Sequence, residues 1–390
     1  MNLKDKNILL GVSGGIAVYK VLDLCSRLKK RGANLKIIMT DSACEFVTPL
    51  SFETMGKCKV YNSIFKGHHD EVFHIELPKW ADIMLIAPAT ANILAKFSNG
   101  IADDMLSTTF LACTKPVIVA PAMNTNMLMN VSVQENILKL KQRGIHFIES
   151  KSGLLACNTV GDGRLAEPEE IVDYLEIFFS KKDLKGKKII VTAGPTVADI
   201  DFVRYITNKS SGKMGYNIAK AARDRGADVY LISGPVEPFK IEGITTIKIR
   251  TNEQLKDSIE TLFSDSNALI MSAAPVDYKP ENYFDKKIKK NGQTLKLNLI
   301  QTDDILKYFG DKKTKQKIIA FAAETDDVID NALKKLHEKN ADFIVANDLK
   351  MDGAGFNTDT NIATIISEKD TIKLNKMSKY ELANKILDLI

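Results

Sequence analysis

The sequence predicts an α/β protein built from two Rossmann-like, three-layer units with mainly parallel sheets. Three observations predict it. Short apolar runs recur, each closed by glycine or proline and followed by residues with helical apolar spacing. This grammar starts twice, at KNILLGVSGG from residue 6 and at KKIIVTAGPT from residue 187. Both halves also stop their first helix with the same tripeptide, Arg31-Gly32-Ala33 and Arg225-Gly226-Ala227.

In the first half, Ile8 to Gly11 reads as a short buried strand. Ile16, Val18, Val21, Leu22, Leu24, Cys25 and Leu28 then mark one face of a helix over 16–30, Gly32 ends it, and Leu35 to Met39 forms the next strand. The second half repeats the pattern, and a strand–helix–strand crossover implies parallel pairing. Between them lies the polar, lysine-rich SKKDLKGKK (180–188), which sets expected domains of 1–182 and 183–390.

Bulk properties narrow the function. A chain of 390 residues, 45% apolar and 26% charged, suits a globular protein of two or three domains. No apolar run reaches membrane-spanning length, and MNLKDKNILLGVSGG reads as a strand rather than a secretory signal, so the cytoplasm is expected. The five cysteines form no C-x-x-C pair and argue against disulfides and zinc. The net charge of +5 is dispersed; it suits small anionic substrates and argues for neither nucleic acid nor membrane partners.

The halves differ in one connection. Gly11 to Arg31 spans 20 positions, but Gly194 to Arg225 spans 31. The extra residues hold RYITNKSSGKMG, at the sheet end where doubly wound folds bind ligands. This is not a P-loop: Thr207 stands where the first glycine belongs, and Met214 follows Lys213 where Ser or Thr is required.

In the first half, GVSGG (11–15) lacks the third glycine of a dinucleotide fingerprint. Its Ser13, glycine amides and helix start suit a single phosphate, hence a mononucleotide. PATAN (88–92) and PAMNTNM (121–127) fall at neighbouring strand ends. Asn124 there either binds a carboxylate or amide, or caps the next helix.

Together, GVSGGIAVYK, His74 in VFHIELPKWAD, PATANILAKFSNGIADDMLSTT and PAMNTNM resemble the flavin-dependent cysteine decarboxylases. CNTVGDGRLAEPEEI resembles the flap of their phosphopantothenoylcysteine members. VTAGPT, IDFVRYITNKSSGKMG, SAAPVDYKP, KKIKK, FAAET and VANDL resemble phosphopantothenate–cysteine ligases. Order and completeness match the bifunctional bacterial enzymes of coenzyme A biosynthesis over essentially the whole chain. One departure is Leu128, where that family usually carries Trp. The resemblance implies a first domain that is flavodoxin-like and FMN-dependent, and a second that uses CTP.

For the first domain it implies that Gly11, Ser13, Gly14, Gly15, Thr40, Pro88, Ala89, Thr90, Asn92 and Ser107 surround FMN. His74 would be the active-site base, Asn124 would bind the substrate carboxylate, and Cys157 would protonate the enethiolate left when CO₂ departs. A thiol suits that step because its ordinary pKa of about 8.5 lies near working pH. Read without the resemblance, His74 is also compatible with a core histidine on a strand, and Cys157 with a small buried side chain. His68, His69 and His74 lack the accompanying ligands of a metal site.

For the second domain it implies attack of cysteine on an acyl-cytidylate, with pyrophosphate released and Mg²⁺ accompanying CTP. Ala273, Ala274, Asp277, Lys287, Asp304, Ile305, Phe321, Lys335 and Lys339 would surround the nucleotide, with Lys287 also catalytic and Asp277 reading the cytosine edge. Asn208 would stabilise the intermediate, and Arg204 would hold the acyl substrate. The expected assembly is a homo-oligomer with a trimeric decarboxylase core, extending to a dodecamer, and paired ligase domains. Two rivals are a non-catalytic flavin-binding regulator and a peptide cysteine decarboxylase. The first predicts loss of Cys157 or the ligase lysines, and the second predicts no CTP-using half.

Overall fold

The computed structural model describes residues 3–65, 72–154, 160–237, 241–289, 295–324, 328–348 and 358–390. The chain divides into two compact units, Met1–Ser180 and Lys181–Ile390.

The first unit is built on a six-stranded parallel sheet. In spatial order its strands are Val60–Tyr61, Asn34–Met39, Asn7–Val12, Ile83–Ala89, Val117–Pro121 and His146–Phe147. Their apolar runs are continuous because helices cover both faces. Ile8, Leu10 and Val12 pack into one cluster with the helices Val18–Lys30 and Pro168–Phe179, while Leu9 between them faces a second cluster with Phe97 and Leu106. Numbered along the chain, the order is 3-2-1-4-5-6. Without the two-residue edge strand Val60–Tyr61, it is the 2-1-3-4-5 order of flavodoxin-like sheets. Either way the order reverses between Asn7–Val12 and Ile83–Ala89, which opens a crevice at their carboxyl ends.

The helix expected over 16–30 forms over Val18–Lys30 and buries Val18, Val21, Leu24, Cys25 and Leu28. Ile16 departs from the expected core face: it precedes the helix and is 58% exposed. His74 also departs from the strand considered for it. It lies in the helix Phe73–Trp80, because its apolar neighbours Phe73 and Leu77 follow a one-turn spacing that the short VFHI run concealed.

The second unit repeats the plan with eight strands. In spatial order they are Thr245–Lys248, Asp228–Ser233, Lys188–Ala193, Ala268–Met271, Lys317–Glu324, Phe343–Asp348, Ala363–Ile366 and Thr371–Lys373, the last two joining antiparallel. Ile189 and Val191 face one cluster and Ile190 the other. The long insertion is an antiparallel hairpin, Val197–Asp199 with Tyr205–Thr207, followed by the helix Lys213–Asp224. The reversal falls between Lys188–Ala193 and Ala268–Met271, so a second crevice opens beside that hairpin.

Candidate functional site

The first crevice is a cavity of about 1010 Å³, at the upper end of the usual range for small-molecule and cofactor sites. The loops after four parallel strands and the docked hairpin line it. Of the residues expected around a flavin, Ser13, Gly14, Gly15, Thr40, Pro88, Thr90 and Asn92 lie on its wall, together with Asn124.

The geometry explains several of these residue types. The Ser13 hydroxyl is only 2% exposed; it donates to the Pro88 carbonyl (2.8 Å) and accepts from the Thr90 N–H (3.0 Å). It therefore bolts the two loops of the switch point together, leaving the neighbouring glycine amides to meet an anion. A Cβ on Gly14 would lie 2.4–2.7 Å from Ser42, including its backbone, so only glycine lets these loops close. Thr40 caps the helix Asp41–Phe46 through the Ala43 N–H (3.2 Å). Asn124 both lines the cavity and caps the helix Thr125–Leu128, its Oδ1 accepting from the Asn126 N–H (2.8 Å). Capping uses the amide oxygen, and the same amide also carries N–H donors.

Three expected residues do not reach the cavity wall. Gly11 sits in the core between Ile86 and Leu106. Ala89 is buried and presents its carbonyl to the Ala122 N–H (3.0 Å). Ser107 is buried in a capping box with Asp104. Each belongs to a motif whose neighbours do line the cavity, but its own side faces inward. His74, on the helix packed against Met105–Ala112, is not among the lining residues either. Cys157, His68 and His69 lie outside the described residues.

The hairpin beside the cavity is well anchored at its base. Its strands are Lys151–Leu154 and Val160–Arg164. The Gly163 carbonyl accepts from the Met123 N–H (2.9 Å), and the Asp162 carbonyl accepts from the Thr125 hydroxyl (2.6 Å). Gly163 has φ +116°, and a Cβ there would meet the Met123 oxygen at 2.2 Å. The strand Val160–Arg164 is thus fastened directly to the Asn124 loop. Leu128 is 8% exposed and packs in the core cluster with Leu94 and Leu140, so the departure from Trp falls on packing beneath the loop.

Charged groups missed in the sequence complete this wall. Lys20 and Arg164 both pair with Glu167 Oε1, at 2.9 and 2.8 Å. Lys96 pairs with Asp103 and Asp104, each at 2.6 Å. Burial works against the Asp104 charge, but Lys96 and the Ser107 N–H and hydroxyl hold its carboxyl below the usual range. No spacing rule marks these residues as one group, because they converge from two helices, a strand and a helix-entry loop.

In the second crevice, the loops after the two central strands are clasped together. Ala274 N–H donates to the Gly194 carbonyl (2.9 Å), Ala273 N–H to the Thr192 hydroxyl (3.0 Å), and the Asn208 amide to the Pro275 carbonyl (2.8 Å). This brings Asn208, Ala273 and Ala274 to one place, with Asp277 exposed on the same loop. Asp304, Phe321, Lys335 and Lys339 form a second group. Lys339 pairs with Asp304 (2.5 Å), and Lys335 donates to the Phe321 carbonyl (3.1 Å). Ile305, by contrast, is 3% exposed and belongs to the core.

Lys287 joins neither group through a described bond; it is exposed on a strap held at another corner. There Asp201 accepts from the N–H groups of Ile288 (3.1 Å), Val203 (2.8 Å) and Arg204 (2.8 Å). Burial opposes the Asp201 charge, yet these bonds hold its carboxyl below the usual range. Arg204 in turn donates to the Ile288 carbonyl (3.0 Å). Arg204 and the Lys287 strap are therefore one construction. Lys213 of the Ser-Ser-Gly-Lys run pairs with Asp359 (2.7 Å), which agrees with the failed P-loop pattern.

Fold and crevices together define a two-unit α/β protein with a cofactor-sized cavity in one unit and a lysine-rich crevice in the other. Residues 1–180 match the Flavoprotein family, and residues 184–390 match the DNA/pantothenate metabolism flavoprotein C-terminal domain. The chain is 48% identical to the coenzyme A biosynthesis bifunctional protein CoaBC of Bacillus subtilis, covering 100% of this chain and 97% of that one. It is 39% identical to the Escherichia coli protein of the same name, over 99% and 97%. A solved C-terminal domain of a CoaBC protein is 38% identical over 54% of this chain and 96% of that one, with a TM-score of 0.47. The chain belongs to the family of coenzyme A biosynthesis bifunctional proteins. Among the described residues, no helix is long and apolar enough to cross a membrane.

Proposed function

We propose that the chain ligates L-cysteine to 4′-phosphopantothenate at the second crevice with CTP, then decarboxylates the product to 4′-phosphopantetheine at the first crevice with FMN. The observation that carries this reading is the first cavity. It gathers the Gly14–Gly15 loop, Thr90, Asn92 and Asn124 at one switch point, and a Cβ at Gly14 would collide with Ser42 and force that wall apart.

In this reading the Gly14 and Gly15 amides meet the FMN phosphate, while Ile16 and Tyr19, both exposed on the cavity wall, offer apolar surface to its ring. FMN supplies the two-electron acceptor that lets a cysteine carboxylate leave as CO₂. Asn124 orients that carboxylate through its amide N–H, and Cys157 delivers a proton from the flap. His74 does not line this cavity, so it serves a site on another copy of the chain. That arrangement fits flavin sites at contacts of a trimeric core, with the ligase units pairing as dimers.

At the second crevice, Lys335 and Lys339 meet the nucleotide phosphates, and Lys339 must exchange Asp304 for phosphate when CTP binds. Arg204 holds the acyl substrate, Lys287 on the strap bonded to it serves the nucleotide and the catalytic step, Asn208 steadies the acyl-cytidylate, and Asp277 reads the base. Among the described residues no cluster of three or more acidic, His or Cys side chains could hold a metal; Mg²⁺ enters on the phosphates of CTP.

The test is direct. The purified protein should be yellow. With phosphopantothenate and cysteine, it should release pyrophosphate with CTP but not with ATP or UTP, and CO₂ should follow. A colourless protein, or pyrophosphate release independent of the nucleotide base, would overturn the reading.

A further inference from the structure

We infer that Thr196 and Asn252 form a buried positioning pair that couples the acyl-substrate loop to the nucleotide loop of the ligation site. The inference rests on the ligase reading above. Neither residue faces the crevice: Thr196 is fully buried and Asn252 is 6% exposed. The Thr196 hydroxyl donates to Asn252 Oδ1 (2.6 Å) and accepts from the Val276 N–H (2.9 Å). The Asn252 amide donates to the Val276 carbonyl (2.8 Å), which also receives the Thr302 hydroxyl (2.7 Å). Both backbone groups of Val276, one residue before Asp277, are thus held by side chains.

The main chain of Thr196 reaches the other way. Its carbonyl accepts from the Thr207 hydroxyl (2.8 Å), one residue before Asn208, and its N–H donates to the Ala274 carbonyl (3.3 Å). One buried threonine therefore touches both loops whose tips carry the reacting partners. Every side-chain polar atom of the pair has a partner, and such saturated networks fix a single geometry. Removing the hydroxyl strips Val276 N–H and Asn252 Oδ1 together, a penalty corresponding to about tenfold or more in an equilibrium or rate.

The experiment uses the full-length, flavin-loaded protein as Thr196→Val, Thr196→Ser and Asn252→Ala variants. Pyrophosphate release is followed against CTP and UTP concentration, decarboxylation against supplied 4′-phosphopantothenoylcysteine, and folding by thermal melting. Thr196→Val and Asn252→Ala should lower kcat/KM for CTP at least about tenfold and narrow the CTP-over-UTP preference, with decarboxylation retained. Thr196→Ser should restore both. The inference is overturned if Thr196→Val keeps wild-type CTP kinetics and base preference, if Thr196→Ser is as impaired as Thr196→Val, or if the loss follows the melting temperature while base preference stays unchanged. Wild-type protein that releases no pyrophosphate with CTP would instead bring down the ligase reading itself.

Discussion

Asp304 does two jobs with one carboxylate. Its Oδ1 caps the helix Ile305–Lys312 through the Lys307 N–H (2.8 Å), and its Oδ2 holds Lys339. Burial would raise its pKa, but Lys339 and the Lys307 N–H hold it below the ordinary carboxylate value. A depressed folded pKa means the stabilisation is complete above the unfolded value of about 4 and vanishes as pH falls through the folded one. Asp304→Ala should therefore cost about 0.5–2 kcal/mol at pH 7, and the deficit should shrink in denaturant melts at pH 3. Cys157→Ser should leave pyrophosphate release intact and block formation of 4′-phosphopantetheine, as product analysis would show. At this scale the sequence located regions better than side chains. GVSGG, PATAN and PAMNTNM all border the cavity, yet Ala89 and Ser107 turn inward, and Ser13 is a bolt between loops. Which way one residue of a loop points depends on partners far away in the chain, such as Pro88 for Ser13.

Among the elements, the strands and first helices of both units were legible because a strand buried on both faces reads as an uninterrupted apolar run. The insertion was legible as extra length but not as a hairpin, since IDFVRYIT has no Asn-Gly or Asp-Gly turn to announce one. Lys20, Lys96 and Arg164 stood inside motifs visible in the sequence, but the charged wall they form was not legible, being assembled by tertiary contact. Two glycines test how the elements are fitted together. Gly14→Ala must push against Ser42, so the protein should purify with little flavin, read by visible absorbance. Gly163→Ala places a side chain at φ +116° against the Met123 carbonyl, which should displace the flap. Decarboxylation should then fall while CTP-dependent ligation persists, measured on the same preparation.

Over the whole molecule, the two units share a fastening as well as a strand order. Arg31, at the stop of the first helix, reaches Glu176 (2.6 Å) on the last helix of its unit. Arg225, at the equivalent stop, reaches Asp388 (2.9 Å) just beyond the last helix of its own, and Asp183 (2.7 Å). The partners differ in exposure: Glu176 is nearly buried, while Asp183 and Asp388 are half exposed. Arg31→Ala should therefore cost about 3 kcal/mol, since it takes a cation away from a nearly buried carboxylate. Arg225→Ala should cost only about 1–2 kcal/mol, a difference that denaturant melts of the two variants would resolve. The repeated Arg-Gly-Ala was visible in the sequence as punctuation, but its reach across the unit was not.

The absence of His74 from the cavity wall has a consequence for mixtures. Each catalytic centre would be a joint holding, so two crippled versions of the chain can repair one another. His74→Asn and Asn124→Ala proteins, each inert in decarboxylation, should regain activity when unfolded and refolded together. Random assortment would restore about a quarter of the centres.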